Sequence, residues 1–104
     1  MADGDALHPD FADLWPDSRP RIEESLADIE RGLTAMHDGS LDPEVREAAR
    51  VAAHKLVGTL GTYGLLATSA TLREIEAGFV APASADPVKL RARLDEVVRA
   101  VGSV

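Results

Sequence analysis

The chain has 104 residues, which is the size of one domain with a single modest core. It contains no cysteine, which excludes disulfides, thiolate catalysis and zinc–thiolate sites, and its formal net charge of -7 makes nucleic acid an unfavourable partner. Hydrophobic residues make up 45% of the chain and aromatic residues only 4%, so the core is expected to be aliphatic and rich in alanine. This composition favours packed helices over a β-sandwich.

Signals for export or membrane insertion are not evident in the sequence. The opening stretch, MADGDALHPD, is acidic and lacks the cationic region with which a signal peptide begins. No apolar run approaches the roughly 18 residues that a transmembrane helix requires. We therefore expect a cytoplasmic protein with no membrane partner.

Residues 1–16 form a leader in which three large apolar side chains, Phe11, Leu14 and Trp15, stand at helical spacing. We predict a short helix here that packs its aromatic side chains on the rest of the domain. The helix is expected to end at Pro16, because the residue before a proline disfavours the helical region.

The first long helix is predicted within residues 17–39. Apolar side chains recur there with alternating gaps of four and three, which is one stripe on a helix. The stripe consists of Ile22, Leu26, Ile29, Leu33 and Met36. Asp17 or Ser18 is placed to cap the start of this helix, and Gly39 follows its end.

The second long helix is predicted to begin after Asp42, a suitable N-cap, with Pro43 in the first helical position. It should run to about Thr62, and Gly64 should supply the following turn.

Two further helices complete the pattern. One has a single apolar face made of Leu65, Ser69, Leu72, Ile75 and Phe79. The other repeats the Asp-Pro start at Asp86 and Pro87, and its stripe is Leu90, Leu94, Val97 and Val101. Four long helices joined by short loops pack most simply as an antiparallel bundle. We predict one all-α domain over residues 1–104: a short extra N-terminal helix, then an antiparallel four-helix bundle over residues 17–102.

A helical wheel of the second long helix places His54 directly opposite its apolar face. Arg50, Gly58 and Gly61 lie on the same outer side as His54. An interior helical glycine costs about 1 kcal/mol relative to alanine, so two outward glycines suggest a partner that comes close to His54. Histidine can act as a nucleophile, and no Ser, Cys or Asp is placed beside it to form a local triad. A reaction at His54 therefore requires a second molecule.

The stretch AHKLVGTLGTYGLLATSATLREIE, about a quarter of the chain, resembles the histidine-containing phosphotransfer (HPt) domain family. That family has the pattern Ala-His-x-Leu-Lys-Gly, then five residues, a second Gly, and a Leu-bearing helix that ends near Leu-Glu. The positions on pattern here are Ala53, His54, Leu56, Gly58 and Gly64.

The resemblance implies that His54 is a phosphoacceptor. It would receive a phosphoryl group from a histidine kinase or from a receiver aspartate, and pass it to a receiver aspartate in a phosphorelay. The resemblance also implies a phosphotransfer intermediate rather than an enzyme, with no cofactor of its own, and Mg²⁺ supplied by the partner receiver. We expect a monomer. The three histidines lack metal-ligand spacing, so no metal site is predicted.

One position departs from the family pattern, because Val57 stands where the family usually has a lysine. We hypothesise that Arg50, with Lys55, provides the missing positive charge for the phosphoryl group. Arg50→Ala should then slow phosphotransfer without reducing helicity. Partner docking is assigned to Gly58 and to three neighbouring positions: Val51, Val57 and Gly61.

Two alternatives remain open. The Val57 departure keeps alive a degenerate HPt-like adaptor that binds a receiver or kinase without accepting phosphate. The chain is alternatively the phosphorylatable module of a larger kinase, although its start at Met1 favours a separate protein.

Overall fold

The computed structural model describes residues 6–104, and its regular elements are helices. Two short 3-10 helices occupy Ala12–Leu14 and Pro82–Ser84. The four α-helices, numbered in chain order, are α1 (Trp15–Asp38), α2 (Pro43–Thr62), α3 (Leu66–Val80) and α4 (Pro87–Gly102). The prediction of an all-α domain with four long helices is confirmed.

The four helices pack against one another in cyclic order. The main contacts join α1 to α2, α2 to α3, α3 to α4, and α4 back to α1. Among residues 6–104, no helix is both long and apolar enough to cross a membrane.

The core lies where the stripes of the sequence predicted it. Every member of the predicted α4 stripe is buried, and so is every member of the predicted α3 face. In α1, three of the five stripe positions are buried, whereas Leu26 and Met36 are half-buried against the core. Since these side chains are almost all aliphatic, the domain is stabilised mainly by removing aliphatic surface from water.

Both Asp-Pro motifs start helices as predicted. The Asp42 carboxylate accepts a hydrogen bond from the backbone N–H of Val45 at 2.9 Å. Asp86 accepts from the N–H groups of Val88 and Lys89 at 3.0 and 3.3 Å. Each cap satisfies N–H groups that the helix itself leaves unpaired. Gly39 ends α1 with a left-handed φ of 73°, also as predicted.

The predicted boundary at Pro16 is wrong. Within residues 6–14 the leader has one 3-10 turn, and α1 already begins at Trp15, so Pro16 lies in its first turn. A proline is tolerated there because the first helical N–H groups have no intrahelical acceptor in any case. The expected capping by Asp17 or Ser18 fails for the same reason: both residues lie inside the helix, and Leu14 precedes it without a side-chain cap. The part of the leader before residue 6 lies outside the described residues.

The leader is held against the turn between α2 and α3. The His8 N–H donates to the Tyr63 carbonyl at 2.7 Å. Trp15 is buried and meets the Tyr63 ring edge-on, with the ring centroids 5.1 Å apart. Gly64, in the turn, has a left-handed φ of 89°, and a Cβ atom there would lie only 3.0 Å from the Ala6 carbonyl oxygen. Gly64 therefore makes both the turn and the close approach of the leader possible.

Another glycine allows three helices to approach closely in the core. A Cβ atom on Gly32 of α1 would lie 2.5 Å from the Ala49 Cβ in α2 and 2.8 Å from the Phe79 ring in α3. These distances are shorter than van der Waals contact, so the interhelical packing depends on the missing side chain.

Candidate functional site

The outward face of α2 carries a row of four residues spaced by three, four and four positions. In chain order they are Glu47, Arg50, His54 and Gly58. Side chains at this spacing lie above one another on a single helix face. We call this row, together with Glu76 of α3, the open face. The His54 side chain is 71% exposed, and a Cβ atom on Gly58 would meet nothing within 4 Å.

The imidazole of His54 is held by a carboxylate from the next helix. Its Nδ1 atom lies 2.8 Å from Oε2 of Glu76, whose side chain is only 21% exposed. A carboxylate oxygen accepts hydrogen bonds, so Nδ1 carries the proton and donates it. The lone pair of the neutral ring is then on Nε2, which has no hydrogen-bond partner within residues 6–104. The site thus presents a fixed ring with one nucleophilic nitrogen free to react.

A further hydrogen bond ties α2 to α3 along the edge that carries this pair. The Ser69 hydroxyl of α3 donates to the Val57 carbonyl of α2 at 2.7 Å. Ser69 and Glu76 are seven residues apart, so they lie two turns apart on one side of α3. Between them Leu72 and Ile75 are buried in the core. The core packing of α3 therefore positions Glu76 beside the His54 ring.

Arg50 forms a bidentate ion pair within α2. Its Nε donates to Oε1 of Glu47 at 2.9 Å, and its Nη2 donates to Oε2 at 2.6 Å. This hydrogen bonding by Arg50, followed by the charges of Arg50 and Arg46, lowers the pKa of the Glu47 carboxyl below its ordinary value. The same pair raises the pKa of Arg50, and the negative charge of Glu76 acts in the same direction. Arg50 thus lies within the electrostatic reach of the carboxylate that holds His54.

The structure separates the other predicted site residues into two groups. Lys55 and Val51 line a groove between α1 and α2, which they share with Ser25 and Asp28 of α1. Both residues lie on the side of α2 that faces away from α3, the helix that carries Glu76. The Lys55 ammonium forms no ion pair with any residue that the structure describes, whereas His54 pairs with Glu76.

Val57 and Gly61 lie on the α3 flank instead. Val57 is half-buried against the core, and a Cβ atom on Gly61 would lie 3.6 Å from the Ser69 hydroxyl oxygen. The placement of Gly61 on the outer face is therefore corrected. The helical wheel assumed one apolar stripe on this helix. Because α2 packs against both α1 and α3, its buried surface is wider and includes Ala53 and Leu60.

The sequence reasoning missed two carboxylates. Glu76 stood inside the stretch that carries the family resemblance, but helical spacing relates residues of one helix only and did not pair it with His54 across the helices. The other carboxylate is Glu47. Its spacing of three residues from Arg50 is a recognised ion-pair spacing and was a usable signal.

Residues 6–104 contain no group of three or more His, Cys, Asp or Glu side chains arranged to hold a metal ion.

Comparison with known proteins gives one partial match. A stretch of 43 residues is 44% identical to the chemotaxis protein CheA of Rhizobium meliloti (strain 1021). The match covers 41% of this chain and 6% of the length of that protein. No protein-family model matches the chain, and no solved structure matches it.

Proposed function

We propose that this protein is a phosphorelay carrier of the HPt type. His54 accepts a phosphoryl group from a histidine kinase or from a receiver aspartate, and passes it to a receiver aspartate. The observation that carries the proposal is the imidazole itself: it is 71% exposed, and Glu76 holds its Nδ1 atom at 2.8 Å. The partial likeness to a chemotaxis protein CheA supports the same signalling context.

The transfer needs a nucleophile on this chain and a leaving group on the partner. The Nε2 lone pair attacks the phosphorus of an aspartyl phosphate, and the N–P bond forms as the P–O bond to the aspartate breaks. The aspartate carboxylate leaves with that electron pair. The ring keeps its proton on Nδ1 and gains positive charge, which the Glu76 carboxylate offsets. In the onward step a receiver carboxylate attacks phosphorus, and the N–P electron pair returns to Nε2.

Beyond the His54 nucleophile and the Glu76 carboxylate, the reaction requires few groups from this chain. Phosphoryl transfer depends mainly on positioning and on charge stabilisation, which we assign to Mg²⁺ in the partner receiver. The chain contributes Arg50 as the cation on the open face. Lys55 lines both the groove facing α1 and the groove beside Gly58, so we propose for it a role in partner contact. We propose an antiparallel bundle that acts as a cytoplasmic monomer.

Partner access is provided by Gly58, one turn after His54. With no side chain there, the backbone of α2 is bare beside the reactive ring. Next to it, Phe11, Leu14 and Tyr63 line a shallow apolar groove, in which the Leu14 side chain is exposed. We propose that a receiver docks over Gly58 and this groove, and that Val51 extends the contact on the other flank.

The test is transfer of labelled phosphate from a panel of phosphorylated receivers with Mg²⁺, and from a small phosphodonor. Wild type should acquire label that survives base and is lost in acid, and His54→Gln should acquire none. His37→Gln is the matched control, because the His37 side chain is similarly exposed, at 67%, and lies at the end of α1. Label that persists in His54→Gln would refute His54 as the acceptor.

A second candidate is an adaptor that binds a receiver or kinase without accepting phosphate. Two observations favour it: Val57 replaces the usual lysine, and Arg50 is already paired with Glu47. Receiver binding without label from any donor would identify the adaptor.

A further inference from the structure

Two residues on the outward face of α2 lie within reach of the Arg50 side chain: Glu47 and His54. Glu47 lies three residues before it and His54 four residues after it, so the Cβ atoms of both neighbours are about 5–6 Å away. In the structure the guanidinium is committed to Glu47 through two hydrogen bonds of 2.9 and 2.6 Å. While this pair holds, the guanidinium stays beside Glu47, and the carboxylate offsets part of its positive charge.

We propose that Glu47 is a positioning residue that competes with the phosphoryl group on His54 for Arg50. The proposal rests on the proposed function of His54. In the unphosphorylated protein Arg50 rests on Glu47; once His54 carries phosphate, Arg50 rotates to the phosphoryl oxygens. A phosphoryl group is a stronger acceptor than a carboxylate, because it has up to two negative charges and three acceptor oxygens. The exchange therefore runs toward the phosphorylated histidine.

The charged groups next to the Glu47–Arg50 pair are held in place, so Arg50 is the group that moves. Arg46, the other cation near Glu47, donates to the backbone carbonyl of Phe79 at 3.2 Å and is fixed against α3. Glu76 is fixed by its hydrogen bond to His54. The Glu47–Arg50 pair, by contrast, lies on the surface, where the two side chains are 54% and 32% exposed. Exposed ion pairs are weak, so this pair can open when a better acceptor arrives.

Glu47 would therefore slow phosphorylation by holding back the cation that stabilises it. Removing the Glu47 charge frees Arg50, and we expect the rate of His54 phosphorylation to rise about two- to fivefold, the range that an exposed ion pair provides. The lysine that the family usually has at position 57 would supply a constant positive charge. Here the positive charge of Arg50 is held by Glu47 and becomes available when His54 is phosphorylated.

The experiment measures the phosphorylation rate of His54 with a small phosphodonor such as phosphoramidate, which makes no contact with a docking surface. Glu47→Gln should be about two- to fivefold faster than wild type. Glu47→Asp, which keeps the charge, should return most of the way to the wild-type rate. Glu44→Gln is the matched control, because it removes the same charge from the same helix, one turn before Glu47, at a residue that does not pair with Arg50 in the structure.

The decisive variant combines Glu47→Gln with Arg50→Ala. Because Glu47 acts through Arg50, the acceleration should vanish in the Arg50→Ala background, which is the signature of coupling between the two positions. An acceleration that persists there, or one that Glu44→Gln reproduces, would overturn the proposal while leaving His54 as the acceptor. If the wild-type chain acquires no label on His54, the proposed function fails and this proposal fails with it.

Discussion

Gly32 and Gly58 are both glycines inside long helices, and their surroundings are opposite. A Cβ atom on Gly32 would collide with Ala49 and Phe79, whereas one on Gly58 would meet nothing within 4 Å. Helix propensity assigns both positions the same cost of about 1 kcal/mol relative to alanine. At Gly32 the close contact of three helices offsets this cost. At Gly58 no contact within the described chain does so.

The comparison separates the stability of the domain from its proposed function. The buried crossing at Gly32 belongs to the core, where packing density leaves no room for change. The open face around His54 belongs to the surface, where side chains are free of packing constraints. Substitutions at the two places should therefore affect different measurements.

The largest effect is expected from Gly32→Ala. The added methyl group would lie 2.5 Å from the Ala49 Cβ, which is fixed to the α2 backbone and cannot rotate away. Overpacking of this kind costs about 1–3 kcal/mol, in spite of the better helix propensity of alanine. Urea unfolding followed by far-UV circular dichroism should show a lower midpoint.

Gly78→Ala is the control for that experiment. Its Cβ atom would collide with Cδ1 of Leu90, the far end of a flexible side chain. Leu90 can change rotamer, so the loss of stability should be smaller than for Gly32→Ala. Equal losses would indicate that helix crossing at Gly32 has no special role.

Glu76→Gln should slow phosphotransfer to His54 roughly tenfold, because the side chain can still accept the Nδ1 hydrogen bond but the bond is no longer charge-assisted. The amide no longer offsets the positive charge that develops on the ring. Transfer kinetics with a small phosphodonor test this. Glu74→Gln is the matched control on the same helix, because Glu74 pairs with Arg93 of α4 at 3.5 Å instead of with α2. A normal rate in Glu76→Gln would show that the pair is only structural.

Gly58→Ala should raise the free energy of unfolding by about 1 kcal/mol, because the methyl group enters open space and improves helix propensity. The same variant should slow transfer from a phosphorylated receiver several-fold and leave labelling by a small phosphodonor unchanged. The two donors compared on one variant separate docking from chemistry. If receiver transfer is unaffected, Gly58 is not part of the docking surface.

The smallest effect concerns the Glu47 carboxyl. Its pKa should lie below the ordinary value of 4.5, mainly because of the hydrogen bonds from Arg50, and should return toward 4.5 in Arg50→Ala. A lowered pKa means that the pair stabilises the folded chain fully above pH 4.5 and that this contribution is lost as the pH falls through the lowered value. A carboxyl-detected NMR titration of both proteins measures the difference.

Much of the fold was predictable because its causes are local. Apolar stripes and the two Asp-Pro caps depend only on spacing within one helix. Errors arose where two helices meet: Gly61 became half-buried because α2 packs against α1 and α3 together, and Glu76 reaches His54 from a different helix. The exposure of His54 and the open space at Gly58 were predictable, since both lie opposite the buried stripe.

The edge-on contact between Trp15 and Tyr63 gives the domain an intrinsic fluorescence signal. The chain has one tryptophan and one tyrosine, and their rings lie 5.1 Å apart. At this separation, light absorbed by the tyrosine is emitted by the tryptophan in the folded protein. Separation of Trp15, at the start of α1, from the α2–α3 turn would restore tyrosine emission. Because Tyr63 also lines the groove beside Gly58, the same signal allows docking at that groove to be followed without any attached dye.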